Sequence, residues 1–305
     1  LIREVPVDNS VLGNIAYTIK PNISQVFISS KDKDLNTQKF EASLFEARKF
    51  IENIFDQEED FYICSMSSQT IVYKGLMMPA AIKKFYLDIA SNKFTAKVCL
   101  FHQRFSTNTS PKWHLAQPFR VLAHNGEINA IKGNRNWAKS RKGKFASPLL
   151  NNIHKFKNLV NETGSDSSAL DNMLELLSKG RMSIFKALRM VVPPAWQNIH
   201  VQDPEVRAFH EFNSMHMEAW DGPAGLILSD GRWAICALDR NGLRPARYQI
   251  TEDGFVTIAS EIGIDRVADE AIVAEGRVGA GGIMGVDTTP SLPTVSWPYR
   301  LSPTS

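Results

Sequence analysis

The sequence predicts an α+β fold in which antiparallel sheets are covered by amphipathic helices, and two observations carry that prediction. The first is a pair of hairpin signals late in the chain. Ala224-Gly-Leu-Ile-Leu228 and Trp233-Ala-Ile-Cys-Ala-Leu238 flank the turn Asp230-Gly231, and Tyr248-Gln-Ile-Thr251 and Phe255-Val-Thr-Ile258 flank Asp253-Gly254. Asp-Gly favours such turns because glycine reaches positive φ without strain. The second is apolar periodicity of helical type at 40–55, 79–92 and 168–179.

Taken in order, residues 1–30 mix Pro and Gly with short β-branched runs such as Val26-Phe-Ile28, and read as loop and strand. Phe40, Leu44, Ala47, Ile51 and Phe55 recur at helical spacing, predicting a helix with a charged outer face. Phe61-Tyr-Ile-Cys-Ser-Met66 and Thr70-Ile-Val-Tyr73 read as paired strands joined through Ser67-Ser68. Pro79 marks a helix start, with Ile82, Phe85, Tyr86 and Ile89 as its buried stripe. Leu170, Met173, Leu174 and Leu177 define the next clear helix, stopped by Gly180. Residues 204–220 read as a helix whose Phe and Met residues are core.

The chain has 305 residues, enough for one large domain or two ordinary ones, with 43% hydrophobic and 22% charged residues. No apolar run approaches the length of a membrane span, and no signal peptide is read at the start, so a cytoplasmic, membrane-free protein is expected. Cys64, Cys99 and Cys236 are odd in number and far apart, which argues against a disulfide framework. They read as small buried hydrophobes. A net charge of +3 implies no polyanionic partner. The basic run Lys132, Arg135, Lys139, Arg141, Lys142, Lys144, Lys155 and Lys157, with Trp137 and Phe145 nearby, could suit nucleic acid, but a solvated helix face is the preferred reading. His102, His114 and His124 match no helical metal-ligand spacing, and no Gly-x-Ser-x-Gly elbow occurs.

Chemistry is concentrated in Val98-Cys-Leu-Phe-His-Gln-Arg-Phe-Ser-Thr-Asn-Thr109 and Val121-Leu-Ala-His-Asn-Gly-Glu-Ile128. Each reads as a buried strand ending in a polar cluster, where rigid scaffolds present reactive groups. Asn125-Gly126 is a tight-turn pair that can serve a plain hairpin or present an oxyanion hole. Asp166 in Gly164-Ser-Asp-Ser-Ser168 is, from this stretch alone, a helix cap. The dense polar loop Leu238-Asp-Arg-Asn-Gly-Leu-Arg-Pro245 is hard to explain by solubility.

Seven phrases occur in the order found in the glutamate synthase family. They are His102–Thr109, Leu115-Ala-Gln-Pro118, His124-Asn-Gly-Glu-Ile-Asn129, Gly133-Asn-Arg-Asn-Trp137, Gly164-Ser-Asp-Ser167, Trp220-Asp-Gly-Pro-Ala224 and Leu238–Pro245. Residues 1–287 thus resemble the later portion of the class II glutamine amidotransferase domain of its large (alpha) subunit, and 288–305 form a divergent tail expected to be disordered. Asn161–Ser168 and Phe212–Met217 look closer to the bacterial NADPH-dependent form than to the ferredoxin-dependent one.

The resemblance implies a four-layer αββα sandwich of the N-terminal-nucleophile hydrolase type. It also implies L-glutamine as substrate, an oxyanion hole from Asn125 and Gly126, a grip on the α-carboxylate by Arg104 and Thr107, and a partner for the α-ammonium in Asp166. Its nucleophile is an N-terminal cysteine, whereas residue 1 is Leu and none of the three cysteines matches by motif. Hydrolysis by this segment alone is therefore not expected, and a non-catalytic module that binds glutamine is the alternative. Ala219 stands where the family usually has Pro. No cofactor or metal is expected on this segment. FMN, an iron–sulfur cluster and NADPH are implied for the remaining synthase domains and a small (beta) NADPH-oxidising subunit, which convert the released ammonia and 2-oxoglutarate to glutamate.

Overall fold

The chain opens on a ribbon in which β1 (Ile2–Glu4) pairs antiparallel with β2 (Ser24–Val26), on either side of the short helix α1 (Asn14–Thr18). This computed structural model describes residues 1–58, 60–103, 110–197 and 203–289, and the backbone of 294–296. Helix α2 (Thr37–Ile54) begins at Asn36, whose side chain accepts the Lys39 N–H at 2.9 Å.

The buried face of α2 differs from the one periodicity predicts. Leu44 is buried, but Phe40, Ala47 and Ile51 are only half-buried and Phe55 is exposed. Instead Glu41, Ala42, Phe45, Arg48 and Lys49 go inward. Apolar spacing misplaces the stripe because the inward charges have partners: Arg48 pairs with Glu175 and Glu52, and Glu41 takes Lys179 at 2.6 Å.

The expected strands at 61–66 and 70–73 are absent, since 61–73 runs without strand pairing. Side chains take the backbone donors that a ladder would use. Glu41 accepts the Ser68 N–H at 2.6 Å, and Ser65 Oγ accepts that of Val72 at 3.3 Å. The expected helix at 79–92 is broken into α3 (Ile82–Phe85) and α4 (Leu87–Ala90), after a 3-10 turn at Pro79–Ala81. The break falls at Tyr86, which is extended, bridges to Val7, and donates its buried hydroxyl to Lys74 O at 2.6 Å.

Strand β3 (Leu122–Gly126) leads into α5 (Ile131–Arg141), and α6 (Asp166–Lys179) is followed by α7 (Ile184–Val191). Leu170, Met173, Leu174 and Leu177 of α6 are buried as their spacing predicts. Helix α8 (Pro204–Ser214) stops short of 220 and buries only His210. Phe212 and Met215 are exposed, so that stripe is not core, although Met217 and Trp220 beyond it are buried.

Both hairpins form as predicted: β4 (Ala224–Ser229) with β5 (Trp233–Leu238), and β6 (Arg247–Thr251) with β7 (Val256–Ala259). Their turn glycines, Gly231 and Gly254, have φ of 97° and 85°. Strands β8 (Ile272–Arg277), β9 (Ile283–Asp287) and β10 (Thr294–Ser296) complete two antiparallel sheets, ordered β10-β9-β5-β4-β3 and β7-β6-β8. Thr288 N–H and hydroxyl both donate to Arg232 O, and β10 pairs with β9.

Strand alternation builds two cores. Leu226, Leu228, Ile235, Ala237 and Ile283 pack with α6 and α7 on one face of the larger sheet. On the other face Cys236, Leu238 and Met284 meet Tyr248, Val256 and Ile258 of the smaller sheet. The order helix, sheet, sheet is the α+β arrangement of antiparallel sheets and helices that the sequence predicts. No helix among the described residues is long and apolar enough to cross a membrane.

Candidate active site

The candidate site is built where β3 ends. Strand β3 is an edge strand, paired on one side with β4 from Leu122↔Leu228 to Gly126↔Ala224. On its other side, side chains satisfy the backbone. Gln117 accepts the His124 N–H at 2.6 Å and donates to its carbonyl at 2.9 Å, so one amide imitates a neighbouring strand. Asp171 Oδ1 accepts the N–H groups of Val121 and Leu122 at 2.9 and 3.1 Å.

The turn beyond β3 is locked to the segment before β4. Glu127 N–H donates to Pro223 O at 3.0 Å, and Ala130 N–H to Asp221 O at 3.3 Å. Gly126 has φ of 144°, and a Cβ there would stand 1.8 Å from Pro223 O. A Cβ on Gly222 would stand equally close to Glu127 O. Two glycines thus let the backbones of His124–Glu127 and Trp220–Ala224 touch. Asn125 is exposed at this strand end.

The polar loop 238–245 supports the same place. Asp239 is buried, accepts the Ala224 N–H at 3.0 Å and the Asn241 N–H at 2.9 Å, and so fixes the residue paired with Gly126. Arg240 holds Asp221 through contacts of 2.5 and 2.6 Å.

Asp166 comes from α6. The helix cap is Ser165, whose Oγ accepts the Ser168 N–H at 3.1 Å, so Asp166 is the first helical residue and is free for another role. Its Oδ2 accepts the Ile128 N–H at 2.6 Å, which brings it to the turn carrying Asn125 and Gly126. Arg135 donates to the carbonyls of Gly164 and Ser165 at 3.1 and 3.2 Å and holds the approach to α6. Three of the five predicted site residues are therefore gathered at one turn. Arg104 and Thr107 lie outside the described residues. The strand expected before them does not form, since Val98–Gln103 has no strand structure.

Sequence reasoning missed His124, Ser167 and Asp171. His124 is 2% exposed, and its Nδ1 lies 2.7 Å from Ser167 Oγ. Burial, which outweighs the nearby Asp166 charge, pushes the imidazole down to about 4 and keeps it neutral. The available signal was a polar residue inside a buried strand, just before the Asn-Gly pair. Cys236 is shut between the two sheets, where burial pushes its thiol up to about 12. Several cations of the basic run are already committed: Arg141 to Glu218, Lys157 to Asp56 and Lys139 to Glu162.

An edge turn offering an Asn amide beside a sterically enclosed Gly, with a carboxylate fixed to it, suits binding and hydrolysis of an amide whose carbonyl becomes an oxyanion. The profile of class-II glutamine amidotransferases matches residues 1–292, and the chain belongs to that family. Among curated relatives, the ferredoxin-dependent glutamate synthase of Oryza sativa is 42% identical over 292 residues, covering 93% of this chain and 18% of that protein. The NADH glutamate synthase of Saccharomyces cerevisiae is also 42% identical, covering 94% of this chain and 14% of that protein. The chain thus spans less than a fifth of these relatives. Among solved structures, the B. subtilis glutamine phosphoribosylpyrophosphate amidotransferase aligns with a TM-score of 0.34 and 15% identity, over 64% of this chain and 34% of that one.

Proposed function

We propose that this chain is the glutamine-hydrolysing segment of a glutamate synthase. The observation that carries the reading is the bond from Ile128 to Asp166, which sets a carboxylate for the α-ammonium beside the Asn125-Gly126 turn. A cysteine thiolate outside these 305 residues attacks the side-chain amide carbon of L-glutamine. Asn125 side-chain N–H and Gly126 backbone N–H meet the oxyanion, where fixed dipoles count most because charge appears only in the transition state. The C–N bond then breaks, ammonia leaves with a proton from the cysteine's own α-amino group, and water hydrolyses the thioester to glutamate. Arg104 grips the α-carboxylate as a bidentate fork, with Thr107 adding a hydroxyl.

The ammonia serves reductive conversion of 2-oxoglutarate to glutamate in the remaining domains. NADPH as electron donor, delivered through a small beta subunit, is the finer assignment, and it rests on the phrases Asn161–Ser168 and Phe212–Met217. The relatives above use ferredoxin or NADH by name. Among the described residues no group of three or more His, Cys, Asp or Glu could hold a metal. By the family resemblance, FMN and the iron–sulfur cluster belong to other domains of the polypeptide, and a cytoplasmic setting fits this chemistry.

The test is ammonia release from glutamine by the full-length polypeptide beside the 305-residue chain. The full-length protein should be active, Asn125→Ala should lower kcat about 10²- to 10³-fold, and the shorter chain should be inactive. Ammonia from the shorter chain would place the nucleophile within it. Glutamine binding without hydrolysis by the full-length protein would replace the enzyme with a binding module.

A further inference from the structure

We infer that His124 is a positioning residue for this hydrolysis, linking Asp166 to the oxyanion turn through Ser167. The inference rests on the function proposed above. His124 immediately precedes Asn125, and like Leu122 it projects from the α6 side of β3. Its Nδ1 lies 2.7 Å from Ser167 Oγ, and that hydroxyl lies 3.3 Å from Asp166 Oδ1. Asp166 as a carboxylate only accepts, so the Ser167 hydroxyl donates to it and His124 Nδ1–H donates to Ser167. This leaves Nε2 as an acceptor.

Nε2 is buried and meets no hydrogen-bond partner among the described residues. It stands 3.1 Å from the position a Cβ would take on Gly126. Packing alone does not account for it, since a phenylalanine ring would fill a similar volume without burying an unpaired nitrogen. The ring instead borders the space beside the Gly126 Cα, while its other nitrogen is fixed to the helix that carries Asp166. Ile128 N–H to Asp166 closes the circuit on the far side of the turn. No proton moves along this chain; it sets where Asn125 and Gly126 point when the oxyanion forms.

The experiment measures glutaminase kinetics of the full-length polypeptide with His124→Phe, Ser167→Ala, the double variant and His124→Asn. Each of the first two should lower kcat about tenfold to a hundredfold, the scale of a misplaced catalytic group, with KM for glutamine within about threefold. The double variant should be no worse than the poorer single, because both break one chain. His124→Asn, whose side-chain amide nitrogen falls near the position of Nδ1 and can still donate to Ser167, should recover part of the loss. Ser167→Ala removes only a hydroxyl, so it gives an answer even where His124→Phe does not fold. Wild-type kcat in both singles, or losses that multiply in the double, would overturn the inference. An inactive wild type would instead overturn the proposed function, and this inference with it.

Discussion

Asp166 Oδ2 accepts the backbone N–H of Ile128 at 2.6 Å, two residues beyond Gly126, so the first turn of α6 and the end of β3 are one unit. Three further hydrogen bonds join α6 to β3 and the residue before it, one between Ser167 and His124 and two from Val121 and Leu122 N–H to Asp171. Helix α6 thus does along one edge of β3 what another strand would do, and it delivers the carboxylate in register with the turn.

Asp166→Ala should raise KM for glutamine about 10- to 100-fold, the loss expected for a charged hydrogen bond of about 1.5–3 kcal/mol. Asp166→Asn keeps an oxygen for Ile128 and loses only the charge. It should retain the wild-type melting temperature while KM still rises. Steady-state ammonia release and a thermal melt on each variant separate the two roles. An unchanged KM in both would remove Asp166 from the substrate site.

Gly126→Ala should abolish measurable glutaminase activity and lower the melting temperature, because the added Cβ meets Pro223 O at 1.8 Å on a backbone with φ of 144°. Gly133→Ala is the matched control. A Cβ there meets nothing within 4 Å, and in the first turn of α5 it should leave the melting temperature unchanged or raise it slightly. If the two variants melt alike, the close approach of the two loops is not structural.

These contacts also show what the sequence could and could not reveal. The hairpins were legible because Asp230-Gly231 and Asp253-Gly254 fix turn and register locally. Helix α6 was legible because its stripe Leu170, Met173, Leu174 and Leu177 has apolar partners. By contrast, α2 hides its inward face behind Glu41, Arg48 and Lys49, whose partners lie as far away as Glu175 and Lys179. The run 61–73 has strand composition, yet its backbone donors are taken by Glu41 and Ser65. Asn125 and Asp166 were found through family phrases. Ser167 and Asp171 resembled ordinary helix residues, since their roles appear only once β3 is laid beside α6.

The charges under α2 give a stability prediction. Arg48 is 1% exposed and pairs with Glu175, itself 4% exposed. Arg48→Met should cost about 3–5 kcal/mol by leaving the glutamate buried and unpaired. Adding Glu175→Leu should recover much of that loss, since a well-packed apolar pair can replace a buried ion pair. Urea unfolding of the single and double variants measures both. Equal stability of the two would mean that Glu175 finds another partner.

Asp171 sets the opposite kind of dependence, on pH. It is fully buried, its Oδ1 holds two strand N–H groups, and its Oδ2 meets no partner among the described residues. Burial first, and the Glu175 charge second, raise its pKa to about 6 from an ordinary 3.8. The folded protein therefore binds more protons than the unfolded chain between about pH 4 and pH 6. Its contribution must fall as pH rises through that window and stay low above it, by up to roughly 3 kcal/mol. Glu52 works the other way in a lower window. Burial pushes it up, but Arg48, Arg120 and Lys49 prevail and hold it at about 2, so its stabilisation is lost only as pH falls toward that value. Asp171→Asn keeps an oxygen for Val121 and Leu122 and removes the charge. The variant should be more stable than wild type at pH 7.5, and the difference should shrink on acidification to pH 4. Unfolding free energies at several pH values decide it: a constant difference across pH 4–7.5 would show that Asp171 does not titrate in this window.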